Sequence, residues 1–115
     1  MHRPGTNPDR VEPSDVLCDF CRREWTEDRA MVEGHHGSIV CGACLRVAYA
    51  AVVDAGANDA VEGYRCTMCL ESRSDPAWRS PAHPEAFICG RCIHLAARQL
   101  ERDPDVGWTR PGRTA

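Results

Sequence analysis

Leu17-Cys18-Asp19-Phe20-Cys21-Arg22 opens a pattern that Ile39-Val40-Cys41-Gly42-Ala43-Cys44-Leu45 completes: two CxxC pairs separated by 19 residues. Cys66, Cys69, Cys89 and Cys92 repeat the pattern with the same gap, 48 residues downstream. The chain has eight cysteines, and all eight belong to these two sets. Four soft thiolates paired in this way are the ligand set of a closed tetrahedral zinc site. The spacing therefore predicts two structural zinc ions per chain, held by Cys18, Cys21, Cys41 and Cys44 and by Cys66, Cys69, Cys89 and Cys92.

The length supports that reading. The 115 residues divide into units of about half that size, too small to bury a stable core without a staple. Aromatic residues are 6% of the chain, so a large aromatic core is not available. A zinc site is worth roughly 10–16 kcal/mol in small fingers, and that binding energy becomes folding energy. Disulfides are the competing use of the cysteines. An oxidised, exported scaffold calls for an apolar leader, and Met1-His2-Arg3-Pro4-Gly5 begins none. No apolar run approaches the roughly 20 residues that span a membrane. The expected location is the cytoplasm.

All 14 basic residues are arginine. Without lysine, a Walker A phosphate loop and a Schiff-base mechanism are excluded. The formal net charge is −3. Two sites of one Zn²⁺ and four thiolates take it to about −7, a poor balance for a protein that binds a polyanion.

Residues 1–13 and 103–115 are polar, Pro- and Arg-containing and without periodicity, and read as tails, the first disordered. Between them lie a first zinc-binding unit over 14–54, a linker over 55–63 and a second unit over 64–102. Each CxxC at the start of a unit forms a tight knuckle. A hairpin is expected between Arg22 and Val40, with turns at Gly34 and Gly37 and Ile39-Val40 as its last strand. The second CxxC opens a helix, Gly42 to Val53, with Gly56 as its stop, and Leu45, Ala48 and Val52 share one face. In the second unit the helix runs from Gly90 to about Arg102. Pro76, Pro81 and Pro84 predict a shorter or more irregular hairpin there. The ten residues from Asp54 to Gly63 span roughly 33 Å when extended, enough for the second unit to fold back on the first.

These motifs resemble the N-terminal zinc-binding domain of the ClpX unfoldases. The xF within the first pair, the β-branched residues before Cys41 and the immediate helix carry the resemblance over residues 15–54. Cys66-Thr67-Met68-Cys69 and Phe87-Ile88-Cys89-Gly90-Arg91-Cys92-Ile93 carry it over 64–102. The resemblance implies a small metal-stabilised α+β fold of two treble-clef-like units. It also implies self-pairing and recruitment of protein partners. No ATPase module stands in these residues, so unfolding activity is not carried over. With two copies in one chain, the pairing is expected within the molecule, as a pseudo-dimer, with further self-association an option. Small residues on each helix, Ala48 and Ala51, and Ala96 and Ala97, would let the helices approach closely.

His35 and His83 match at the repeat offset. Four thiolates already complete a site, so both read as loop residues rather than ligands; His36 and His94 read as surface residues. Trp25, Trp78 and Trp108 each read either as an anchor for a protein partner or as a cap on a thin core. The first unit, taken over 14–63, holds nine acids and four arginines; the second, over 64–102, holds six arginines and four acids. Three functions follow: a non-enzymatic protein-interaction module or adaptor, a nucleic-acid-binding zinc-finger regulator, and an enzyme or CxxC redox protein. Closed four-cysteine sites lack the open position of a catalytic zinc, and net charge weighs against nucleic acid. The sequence favours the first.

Overall fold

Each CxxC-x19-CxxC stretch folds into a knuckle, a two-stranded antiparallel hairpin and a helix. In a computed structural model that describes residues 1–112, β1 (Met31–Glu33) pairs with β2 (Ile39–Cys41) and leads directly into α1 (Gly42–Tyr49). β3 (Ala77–Arg79) pairs with β4 (Phe87–Cys89) and leads into α2 (Gly90–Arg102). The last three residues of the expected C-terminal tail lie outside the described residues.

The β-branched and aromatic residues before the third cysteine of each set make the second strand, as their preference for a pleated, half-buried surface requires. Helix α1 starts where Cys41 caps it, its Sγ accepting from the Cys44 N–H at 3.5 Å. Helix α2 borrows its cap: Asp75 Oδ2 accepts from the Arg91 N–H at 2.9 Å, which sets a carboxylate at the positive end of the helix. The carboxyl of Asp75 lies below its ordinary pKa because that bond and the Arg73 guanidinium outweigh its partial burial, the largest single influence. The expected first helix holds as far as Tyr49 and then widens into a π-helical turn over Ala50–Asp54. Gly56, at φ +69°, ends it by bringing the Ala57 N–H back to the Ala51 carbonyl at 2.8 Å.

The second hairpin takes the more irregular of the two expected forms, its connection being a run of bends and turns. It is not shorter: seven residues, 80–86, join its strands, against five, 34–38, in the first. The difference is recovered before the hairpin, where 70–76 replaces the longer 22–30. Equal gaps between the cysteines hide an unequal partition. Val32 therefore corresponds to Trp78, and Ala30 to Pro76: the Gly42 N–H donates to Ala30 O and the Gly90 N–H to Pro76 O, both at 2.8 Å.

Helices α1 and α2 pack on each other, and one apolar core crosses both units. Ile93, Ala96, Ala97 and Leu100 are buried along one face of α2, and Leu45 and Ala48 on α1. Phe20, from the first knuckle, lies against Trp78 of β3 with ring centroids 5.8 Å apart.

The segments read as tails and linker are tied down. The Arg3 N–H donates to Asp15 O and the Leu17 N–H to Met1 O, each at 2.7 Å, so residues 1–3 run along 15–17. Their lack of periodicity gave no hint of this, because backbone pairing needs an open partner rather than a side-chain pattern. Past α2, Trp108 donates Nε1–H to Gly42 O at 2.9 Å, and Arg110 bonds Glu101 and the Tyr49 hydroxyl, strapping α2 to α1. The linker lies along β3: Asp59 N–H donates to Ala77 O at 2.7 Å, Asn58 Oδ1 accepts from Ala77 N–H at 3.1 Å, and Asp59 Oδ2 accepts from Arg79 N–H at 3.0 Å. Among the described residues no helix is long and apolar enough to cross a membrane.

Candidate metal centres

The two cysteine sets converge into two clusters. In each, the four Sγ atoms all lie within 4.8 Å of one another. All eight cysteines are free. Cys21 and Cys41 Sγ are 3.7 Å apart, and Cys69 and Cys89 Sγ 3.9 Å. A disulfide would need about 2.05 Å. A tetrahedron with metal–sulfur bonds of about 2.3 Å has edges of about 3.8 Å. Each cluster could therefore hold a metal ion, with ligands at the spacing a closed four-thiolate site requires.

The same local structure builds both sites. In the first knuckle the Cys18 N–H bonds Arg23 O at 3.0 Å and the Arg22 N–H bonds Cys18 O at 2.9 Å; in the second, Cys66 N–H bonds Glu71 O at 3.0 Å and Leu70 N–H bonds Cys66 O at 2.8 Å. These turns aim amides at sulfur. Cys18 Sγ accepts from the N–H groups of Phe20 at 3.4 Å and Cys41 at 3.3 Å, and Cys66 Sγ from Cys89 N–H at 3.4 Å. Such donors favour thiolate. Asp19 and Thr67 lock each knuckle to its hairpin. Asp19 Oδ2 accepts from Ile39 N–H at 2.7 Å, and Thr67 Oγ1 from Phe87 N–H at 3.1 Å. Their matched positions in the two CxxC pairs are visible in the sequence, but their role is not, because the amides they hold lie a whole hairpin away.

The knuckles turn through a left-handed residue, Arg22 at φ +63° and Leu70 at φ +62°. A side chain there is strained, by about 1 kcal/mol. Leu70→Gly is expected to raise stability by about 0.5–1 kcal/mol, read as a higher denaturant midpoint of the metal-loaded chain. A lower midpoint would show that Leu70 packing outweighs the strain.

Among the thiols alone, each cluster lowers one cysteine, Cys41 or Cys66, and raises others, Cys44 in the first and Cys89 and Cys92 in the second. Hydrogen bonds from the Cys18 and Cys44 thiols hold Cys41 down to about 3, while competition with Cys18 and then Cys41 drives Cys44 far above its ordinary range. In the second cluster Cys66 is lowered, chiefly by the Cys89 thiol, Cys89 is pushed up to about 12 by Cys66, and Cys92 is raised, again chiefly by Cys66. Four thiolates cannot share this space without a cation, and a divalent ion supplies the missing charge. Cys18, Cys41, Cys66, Cys89 and Cys92 are buried, and Cys21, Cys44 and Cys69 are half-buried.

The two centres hold each other. The Phe20 carbonyl in the first knuckle accepts from Ser80 Oγ at 2.6 Å, from the second hairpin. The Met68 carbonyl, its counterpart in the second knuckle, accepts from the His35 N–H at 2.8 Å and Ser38 Oγ at 3.4 Å, from the first hairpin. Ser38 and Ser80 are the buried polar residues of the core, and sequence reasoning passed over both.

Neither His35 nor His83 belongs to a group able to hold a metal among the described residues. The three tryptophans separate. Trp78 is buried against Phe20 and serves the core, so it offers a partner nothing; it occupies the inward-facing place that Val32 fills in the first unit. Trp108 folds back onto Gly42. Trp25 alone is exposed, at 39%. No family of known proteins, no curated protein and no solved structure matches this chain.

Proposed function

We propose that the chain is a non-enzymatic protein-interaction module, an adaptor whose two four-cysteine centres each bind a structural Zn²⁺. The observation that carries this reading is the pair of closed thiolate clusters, each braced by the hairpin of the other unit. Four soft ligands at tetrahedral spacing suit zinc over harder ions. Knuckle, hairpin and helix in this order support a treble-clef-like reading of each unit, and the reciprocal contacts support a pseudo-dimer of the kind the ClpX-type resemblance implies. Zinc here would act as a staple: all four positions are filled by sulfur, so no substrate displaces a ligand.

The exposed apolar residues support docking of a protein. Val47 on α1 and Leu95 on α2 occupy equivalent positions and are 54% and 46% exposed. Trp25 and Val11 add a second patch. The net charge of −3 before metal weighs against a nucleic-acid partner.

Metal analysis of the purified, reduced chain is expected to find two zinc ions per chain. A chelator strong enough to remove them is expected to abolish the helical circular-dichroism signal, and re-addition of Zn²⁺ to restore it. A folded, metal-free chain would overturn the reading.

A further inference from the structure

The two hairpins differ at one edge. In an antiparallel pair, successive residues of a strand turn their backbone groups alternately toward the partner and away from it. The bonds Gly42 N–H to Ala30 O and Gly34 N–H to Ser38 O set the register of the first hairpin, so the groups of Met31 and Glu33 point outward. Gly90 N–H to Pro76 O and Ser80 N–H to Ala86 O set the same register in the second, where Ala77 and Arg79 point outward. The outward N–H and C=O of Ala77 and the outward N–H of Arg79 are taken by Asn58 and Asp59 of the linker. Those of Met31 and Glu33 have no hydrogen-bond partner among the described residues.

The segment that follows α2, as the linker follows α1, does not fill this place. It runs to Gly42 through Trp108 and to Glu101 and Tyr49 through Arg110. Met31 and Glu33 also line a groove of about 400 Å³ whose apolar walls are Val11, Val16, Trp25 and Ile39. Glu12 is its other acid, and no basic residue lines it.

We propose that the outer edge of β1 is a docking site for one extended peptide segment of a partner protein. The segment is apolar where it crosses Trp25 and carries Arg or Lys beside Glu12 and Glu33. This deepens the protein-interaction reading and rests on it. The linker on β3 is the internal template: a short extended stretch whose backbone and Asn/Asp side chains satisfy three outward groups at once. Strand addition gives main-chain bonds, and the groove and its acids give selectivity. A second copy is the poorer occupant, because edge-to-edge pairing would bring together two first units of formal charge −5 over residues 14–63.

The test is amide hydrogen exchange of the zinc-loaded full chain, alone and with the synthetic peptide acetyl-Ala-Val-Asn-Arg-Val-Arg-Ala-amide. In the free chain, the Met31 and Glu33 amides are expected to exchange at least tenfold faster than those of Ala77 and Arg79. Saturating peptide is expected to slow them at least tenfold and to shift the Trp25 indole resonance. Replacing both peptide arginines by glutamate is expected to weaken binding at least tenfold. Glu33→Pro removes an outward N–H, which an edge strand tolerates, and is expected to abolish binding. Should that variant fail to fold, Trp25→Ala is expected to weaken binding at least tenfold. Unchanged exchange at millimolar peptide, equal binding of the two peptides, or protection of Met31 and Glu33 that rises with protein concentration alone would overturn the proposal. The zinc content of the same sample separates the two readings. With two zinc ions bound and no peptide effect, only the edge assignment fails; without stoichiometric zinc, the scaffold itself does.

Discussion

Cys66→Ser is expected to unfold both halves of the chain. The substitution removes the buried thiolate that accepts the Cys89 amide, leaving three ligands where a closed site needs four. A structural zinc contributes roughly 10–16 kcal/mol, comparable to the whole stability of an ordinary domain at about 5–15 kcal/mol. The second unit therefore does not survive the loss. The first then loses Ser80, which holds the Phe20 carbonyl, and Trp78, which covers the Phe20 ring. Zinc per chain is expected to fall from two to well below one, and the far-ultraviolet signal to that of an unfolded chain. Equilibrium zinc titration of the wild type is expected to be cooperative. If the variant keeps one zinc at wild-type affinity and half the helical signal, the units are independent and the shared core counts for little.

Gly34→Ala is expected to cost about 2–4 kcal/mol, a large penalty for one added methyl group. A Cβ at this position would stand 2.6 Å from Met68 O and 2.6 Å from Ser38 Oγ. Its φ of −108° suits any residue, but its ψ of −149° lies outside the extended region, so the steric overlap adds to a backbone conformation that itself favours glycine. The clash falls on the carbonyl that receives His35 and Ser38, the junction between the first hairpin and the second knuckle. Gly37, three residues on, makes the control. It sits at φ +74° with nothing within 4 Å of an added Cβ, so Gly37→Ala carries only the left-handed penalty of about 1–2 kcal/mol. Chemical denaturation of the zinc-loaded variants ranks them. Gly34→Ala is also expected to release both metals at a lower chelator concentration. Equal midpoints for the two variants would place the role of Gly34 in the turn alone.

That pair of glycines shows where sequence reading stopped. Both stand at the turn, and of the two only Gly37 has a left-handed φ. The purpose of Gly34 depends on Met68, which lies far along the chain in the other unit. Trp78 taught the same lesson. Counted from the cysteines it had no counterpart, because the gap between CxxC pairs is partitioned differently in the two hairpins; counted from the strands it replaces Val32 and belongs inside. The segments at 1–3 and 58–59 carry no side-chain pattern that marks them as paired. They are ordered through backbone groups, which every residue possesses and no pattern reports.

The cysteine spacing already gives the two four-cysteine clusters, the knuckles, and the helices that begin at Gly42 and Gly90, because knuckle turns and helix capping act over a few residues. The tertiary structure decided which tryptophan stays exposed, which strand edge is left open and how each centre braces the other. Those outcomes depend on contacts between distant segments, whose energies arise only after the two units have met.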